Sequence, residues 1–279
     1  MNRINWFPGH MAKATRELET RLKNLNLIIE VVDARIPISS QNPNLARLIK
    51  HKIRLIVLNK SDLADRHITK QWIAYFNAQS NTHCLAINAL SKKDMKSITS
   101  FCELQLKTQT KRFQRLNVAI AGIPNVGKSQ LINQLSGRKS AKVANRPAVT
   151  QNQQWVKLSD AIYLMDTPGI LWPKLETEQI GYHLAVTGSI KDTVINREDI
   201  IDYLLTFVMN HYPRLIQTRY GCDVIPDSVD ALIAFIAKKR GCIRRGNEID
   251  LEKVYTLILK EFRTGKWGPM SLEFPDSIQ

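Results

Sequence analysis

The sequence predicts an α/β fold built on a mainly parallel, doubly wound sheet, followed by a small all-helical domain. Three observations carry that expectation. Apolar, β-rich runs alternate with helix-like segments from residue 25 to about 168, a glycine-containing turn at 122–129 joins one of these runs to a helix, and beyond about residue 195 apolar residues recur at helical spacing.

Taken in order, "LNLIIEVVDA" (25–34) is a continuous apolar run of strand length and reads as a buried strand. "PNLARLIKH" (43–51) reads as a short helix, "RLIVLNK" (54–60) as a second strand and "ITKQWIAYFNAQ" (68–79) as a helix. "THCLAINA" (82–89) is the third strand and "DMKSITSFCELQL" (94–106) the next helix. "NVAIAGIP" (117–124) is a fourth strand that runs through Gly-Lys-Ser into the helix "KSQLINQLSG", and "QQWVKLS" and "AIYLMDTP" form an expected antiparallel pair. Further on, "REDIIDYLLTFVMN", "PDSVDALIAFIAKKRG" and "IDLEKVYTLILKEFRTG" have helical periodicity, with Pro226 and Asp227 starting the second and Gly241 stopping it. The expected organisation is an N-terminal arm (1–20), an α/β domain (21–180) and a helical domain (195–279).

At 279 residues and 44 % hydrophobic content the chain has ample material for a core. Its charge is unusual. Forty Lys and Arg against 25 Asp and Glu give +15, which favours a polyanionic partner. Residues 197–279 hold 12 basic and 12 acidic residues, so the whole excess lies in 1–196. Between Glu103 and Asp160 there are ten basic residues and no acidic one. That run serves equally as a solvated face, but beside a glycine-rich turn it tilts towards nucleic acid. Cys84, Cys102, Cys222 and Cys242 form no C-x-x-C pair, which argues against a zinc site or disulfide framework. No uncharged apolar run approaches the ~20 residues of a membrane span, and the opening stretch lacks a signal-peptide core. The chain reads as cytoplasmic.

Gly122-Ile-Pro-Asn-Val-Gly127-Lys128-Ser129 fits G-x-x-x-x-G-K-[ST] between a strand and a helix. Such a loop turns backbone N–H groups towards phosphate at a helix N-terminus. Asn125, Val126, Gly127, Lys128, Ser129 and Gln130 are therefore phosphate-side candidates, with Lys128 for the β/γ-phosphates and Ser129 for Mg²⁺. Asp166-Thr-Pro-Gly169 ends a later strand, where a Mg²⁺-associated carboxylate and a γ-phosphate-sensing glycine amide belong. Asn59-Lys60-Ser61-Asp62 also ends a strand. An aspartate there accepts from guanine's ring N–H and exocyclic amine, which adenine does not offer, and the Lys60 stem covers the base. The base-reading piece precedes the phosphate loop in the chain, the reverse of the common order. In a doubly wound sheet the ligand lies at the C-terminal strand ends whatever their order, so these pieces predict a circularly permuted P-loop GTPase domain.

With those residues in place, the chain resembles the ribosome biogenesis GTPase A family of circularly permuted GTPases. The resemblance spans "WFPGHMAKA" (6–14), "VVDARIPISSQNP" (31–43), "LNKSD", "GIPNVGKS", "RPAVTQNQQWV" (146–156), "DTPGILWPK" (166–174) and "TGSIKD" (187–192). It implies GTP hydrolysis to GDP coupled to late maturation of the large ribosomal subunit, with the subunit precursor and its rRNA as partners of a monomer. It also implies that Asn59, Lys60 and Asp62 read guanine with backbone at Asn88 and Ala89. Thr150 would be the switch threonine on Mg²⁺ and γ-phosphate, and Asn125 would lie beside a K⁺ ion. Ala148 and Gln130 depart from the family's glycine and threonine, which bears on switch flexibility at the first. Ile170 stands where many GTPases carry a water-positioning glutamine, and the resemblance points to His10 as its substitute; a packing histidine is the plainer alternative.

"KKRGCIRR" (238–245) holds five basic residues at a helix end and is the rRNA candidate of the helical domain, against a merely solubilising terminus. Two other functions stay open: an RNA-binding protein whose nucleotide only stabilises the fold, and a permuted GTPase of small-subunit assembly.

Overall fold

The computed structural model describes residues 25–43, 45, 49, 52–108, 114–137, 155–166, 177–191 and 195–277. The expected arm (1–20) and most of the expected helix at 43–51 lie outside these residues. The chain divides into two compact units: the described residues up to 166 together with 273–277, and the described residues from 177 to 272.

The first unit is a six-stranded sheet. Its strands are β1 (Leu27–Asp33), β2 (Ile53–Asn59), β3 (Thr82–Ala86), β4 (Leu116–Ala121), β5 (Trp155–Lys157) and β6 (Ile162–Asp166). They lie in the order β3-β2-β1-β4-β6-β5, all pairings parallel except β5 with β6. The strand ends expected from the apolar runs are met within a few residues. Helices α1 (Arg66–Asn77), α2 (Lys92–Thr108) and α3 (Lys128–Leu135) connect them. The chain walks outward from β1 to β3 and then returns to β4 on the other side of β1, so the direction of winding switches between β1 and β4.

All seven residues of β1 are buried, as suits a central strand covered on both faces. One face carries two apolar clusters, one with Ile28, Ala119, Met165 and Trp155, the other with Val32, Ile56, Leu58, Trp72 and Phe76. Between them lies an ion pair. The Arg54 guanidinium donates to Glu30 Oε2 from Nε (2.9 Å) and Nη2 (2.5 Å), and Asn42 N–H donates to Glu30 Oε1 (3.0 Å). Glu30 is wholly buried, so its charge is tolerated only because its oxygens are engaged. Helix α1 starts where Asp65 accepts from the His67 and Ile68 N–H groups, and it buries Thr69, Trp72 and Phe76 at helical spacing.

The second unit is all-helical: α4 (Glu178–Val186), α5 (Arg197–His211), α6 (Pro213–Tyr220), α7 (Val229–Arg240) and α8 (Leu251–Arg263). Thr177, Asn196, Ser228 and Asp250 cap α4, α5, α7 and α8 through their side chains, and Gly221 and Gly241 close α6 and α7 in left-handed conformation. The helix expected to start at Pro226-Asp227 begins at Val229, because the Ser228 hydroxyl caps it by accepting from Ala231 N–H. Buried Glu261 is this unit's polar centre, accepting from Arg219, Tyr220 and Trp267.

Both expected limits of the helical domain change. Its start moves from 195 to α4, because Arg263 on α8 donates to the Ala185 and Val186 carbonyls at the end of α4. Its end moves from 279 to 272. Beyond it the chain packs on α1, where Trp72 Nε1 donates to the Glu273 carbonyl (3.1 Å). All four cysteines are free thiols, and burial pushes Cys84 and Cys102 up to about 12, as inert packing groups.

The Glu30–Arg54 pair gives a direct test of this sheet. Glu30→Ala is expected to destabilise the chain by about 3 kcal/mol in urea unfolding, because it strands the Arg54 charge, and a further Arg54→Met is expected to recover most of that loss.

Candidate nucleotide site

Because β1, β2, β3, β4 and β6 are parallel, their C-terminal ends share one edge of the sheet. Asp33 pairs in register with Asn59, and Ile120 with Asp166. The ends of β2, β4 and β6, which carry the residues expected to read guanine, hold phosphate and supply the Mg²⁺-associated carboxylate, therefore lie on that one edge, with β1 between the first two. The Asp166 backbone is placed by that register two residues short of Gly122 on the neighbouring strand.

The loop 122–127 leaves β4 and feeds α3, as the G-x-x-x-x-G-K-S spacing requires. It needs its glycines for space as well as for conformation. A Cβ on Gly122 (φ 150°) would sit 2.4 Å from the Val31 carbonyl of β1, and one on Gly127 (φ 100°) would sit 2.2 Å from Asn59 Nδ2. Asn59 is 1 % exposed. Its Nδ2 donates to the Val126 carbonyl (2.7 Å), and its Oδ1 accepts the Ala89 N–H (3.1 Å). One amide thus joins the strand end, the phosphate loop and the segment after β3.

Lys60 has φ 59°, which turns its side chain back across the loop. Its Nζ donates to the Asn125 carbonyl (3.0 Å) and pairs with Asp33 Oδ2 (2.9 Å). Lys128 Nζ donates to the Ile123 carbonyl (2.6 Å). Asp62 is exposed two residues beyond Lys60, and Ser61 N–H donates to the Ile87 carbonyl (3.1 Å). Asn88 N–H is held by Asp94 (2.8 Å), and Asn88 Oδ1 accepts from Leu90 N–H (2.8 Å). Asn125, Ser129 and Gln130 are exposed around the loop and the first turn of α3. His10, Thr150 and Gly169 lie outside the described residues, as do Ala148 and Ile170.

Sequence reasoning did not single out Asp33. It is fully buried and accepts from Arg35 N–H (3.1 Å), Arg35 Nε (2.9 Å) and Nη2 (2.8 Å), as well as from Lys60. Burial opposes its ionisation, yet Arg35 and then Lys60 outweigh burial and hold its carboxyl well below the ordinary carboxylate range. The available signal was an acid closing the apolar run "IIEVVD", in register with the end of "IVLN". In the helical unit, Lys238, Lys239, Arg240, Arg244 and Arg245 are all exposed around Gly241. Arg244 pairs with Asp250 (3.0 Å) and Arg240 with Glu261 (3.5 Å).

Comparison with known proteins agrees with this geometry. A family described as "50S ribosome-binding GTPase" matches residues 117–219. Ribosome biogenesis GTPase A of Bacillus cereus is 45 % identical over 282 residues, covering 99 % of this chain and 95 % of the relative. A solved structure titled as GNP-bound YlqF from T. maritima is 27 % identical, with TM-score 0.68, over 95 % of this chain and all of that one. A GDP-bound YlqF structure is 26 % identical with TM-score 0.69, over 94 % of this chain and all of that one. The reordered strand ends, the glycine-dependent loop and this near full-length likeness together place the chain in the ribosome biogenesis GTPase A family, a family of circularly permuted GTPases.

Proposed function

We propose that this GTPase binds rRNA on a precursor of the large ribosomal subunit and acts in its late maturation, hydrolysing GTP at the edge where β1, β2, β4 and β6 end. The observation that carries the site is the Asn59 amide bridging Val126 and Ala89, which holds the base-reading and phosphate-holding segments at fixed spacing. In this reading Asp62 accepts from guanine, the Lys60 stem covers the base, the N–H groups of Gly127, Lys128 and Ser129 cradle phosphate, and Lys128 Nζ moves from the Ile123 carbonyl to the β/γ-phosphates. The large-subunit assignment is supported by the likeness of residues 117–219 to the family described as "50S ribosome-binding GTPase".

The donor set suits Mg²⁺. Exposed Ser129 at the start of α3 offers a hard oxygen ligand, and Asp166 and Thr150 complete the proposed set. The ion supplies charge neutralisation at the β/γ-phosphate oxygens when bound. Asn125 is the proposed ligand for K⁺, Gly169 the proposed γ-phosphate contact and His10 the proposed water-positioning residue. Among the described residues no helix is long and apolar enough to cross a membrane. The location that goes with the proposed ribosomal partner is the cytoplasm, and the proposed state is a monomer.

Base choice is tested by Asp62→Asn, which is expected to weaken GTP binding at least tenfold and shift preference towards xanthosine triphosphate; equal GTP affinity in titrations would remove Asp62 from base reading. For catalysis, His10→Ala is expected to lower subunit-stimulated turnover at least tenfold with little change in GTP affinity. If the parent itself shows no turnover with or without subunits, the nucleotide is structural and the enzymatic role falls.

The segment 238–245 is tested by sedimentation with isolated large subunits. Replacing Lys238, Lys239, Arg244 and Arg245 by Gln is expected to weaken binding and flatten its salt dependence, with the smaller share from Arg244, which Asp250 already engages. In this reading the GTP-analogue form binds more tightly than the GDP form. Unchanged affinity and salt slope would move the rRNA contact elsewhere.

A further inference from the structure

The GTPase unit borrows a carboxylate from the far end of the chain. Residues 36–40 make a single helical turn after β1, closed by Ser40 N–H donating to the Ile36 carbonyl (3.0 Å). A turn this short leaves its leading N–H groups without intrahelical partners. Glu273 supplies those partners: one oxygen accepts from Ile38 N–H (2.6 Å), the other from Ser39 N–H (2.9 Å) and from the Ser39 hydroxyl. The sequence separation is 234–235 residues. The contact is anchored from behind, where the Glu273 carbonyl accepts from the buried Trp72 indole.

The turn that Glu273 holds is the one that orders Asp33. Asp33 N–H donates to Ser40 Oγ (3.0 Å), Ser40 Oγ donates to the Ile36 carbonyl (2.6 Å), and Ile36 N–H donates to the Asp33 carbonyl (3.0 Å). Asp33 in turn fixes Lys60 Nζ, which spans to the Asn125 carbonyl of the phosphate loop. Hydrogen bonds joined through the covalent backbone of residues 36–40 and of Asp33 therefore link Glu273 to the lysine proposed to cover guanine. We infer that Glu273 is a positioning residue for guanine nucleotide, acting through the 36–40 turn and Asp33 on Lys60. The inference rests on the proposed role of Lys60. It also makes the last residues of the chain part of the nucleotide-binding unit.

The test is a double-mutant cycle on the full chain, reading dissociation constants for a fluorescent GDP analogue. Glu273→Ala is expected to weaken binding about tenfold in the parent and less than twofold in a Lys60→Met background, because the effect passes through Lys60. Glu273→Gln keeps the side chain's volume and one acceptor oxygen; it is expected to lose about threefold with an unchanged melting midpoint, which separates positioning from folding. The same loss in both backgrounds would make Glu273 a general stabiliser and overturn the inference. So would undiminished affinity of Glu273→Ala where Lys60→Met alone is impaired. Parent-like binding by Lys60→Met would instead overturn the role of Lys60 itself, and the inference with it.

Discussion

Asn59 occupies the space that a side chain on residue 127 would need. That single exclusion, 2.2 Å between an added Cβ and Asn59 Nδ2, ties glycine in the phosphate loop to asparagine at the end of β2. The asparagine uses the closeness fully, donating a hydrogen bond to the Val126 carbonyl and accepting one from the Ala89 N–H, 67 and 30 residues away in the chain. A buried amide is costly unless both its ends are paired, so these three segments are held at one spacing. Lys60, Asp62, the loop amides and the start of α3 inherit their relative positions from that bridge.

The bridge also explains why the order of the segments along the chain is immaterial. Parallel strands send their C-terminal ends to one edge, and the crevice opens where the winding changes direction, here between β1 and β4. In this chain β1 comes first yet lies inside the sheet, flanked by β2 and β4. An interior first strand has no room for an unpaired charge. Both of its acids are neutralised locally, Glu30 by Arg54 and Asp33 by Arg35 and Lys60. The second of these pairings turns a structural necessity into a link with the nucleotide site.

Much of this was legible in the sequence because the signals were local. The β/α alternation, the G-x-x-x-x-G-K-S turn and the reversed motif order follow from residues adjacent in the chain, and the strand ends came within a few positions. The helix α4 was missed because "EQIGYHLAV" shows little amphipathic contrast, nearly every residue of its second half being buried. Helix α6 was missed because "PRLIQTRY" is short and polar, with only Ile216 and Tyr220 buried. The role of Asp33, although it closes a legible apolar run, and that of Glu273 were illegible for a different reason. Their roles depend on partners that only tertiary structure supplies, and no spacing rule connects residue 273 to residue 38.

The phosphate loop shows how such partners create a binding surface from backbone alone. Three of the loop's carbonyls, those of Ile123, Asn125 and Val126, are taken by Lys128 Nζ, Lys60 Nζ and Asn59 Nδ2. In a planar trans peptide the N–H points opposite to the C=O, so drawing the Asn125 and Val126 carbonyls onto protein donors turns the Val126 and Gly127 N–H groups the other way. After Ile123 the next residue is Pro124, which has no N–H to misplace. The positive φ angles of Gly122, Asn125 and Gly127 allow these reversals within six residues. In the function proposed above, these N–H groups are the ones that meet the phosphate. Part of the loop's shape is set from outside it, by Asn59 at the end of β2 and Lys60 just beyond it, whatever the order of these segments along the chain.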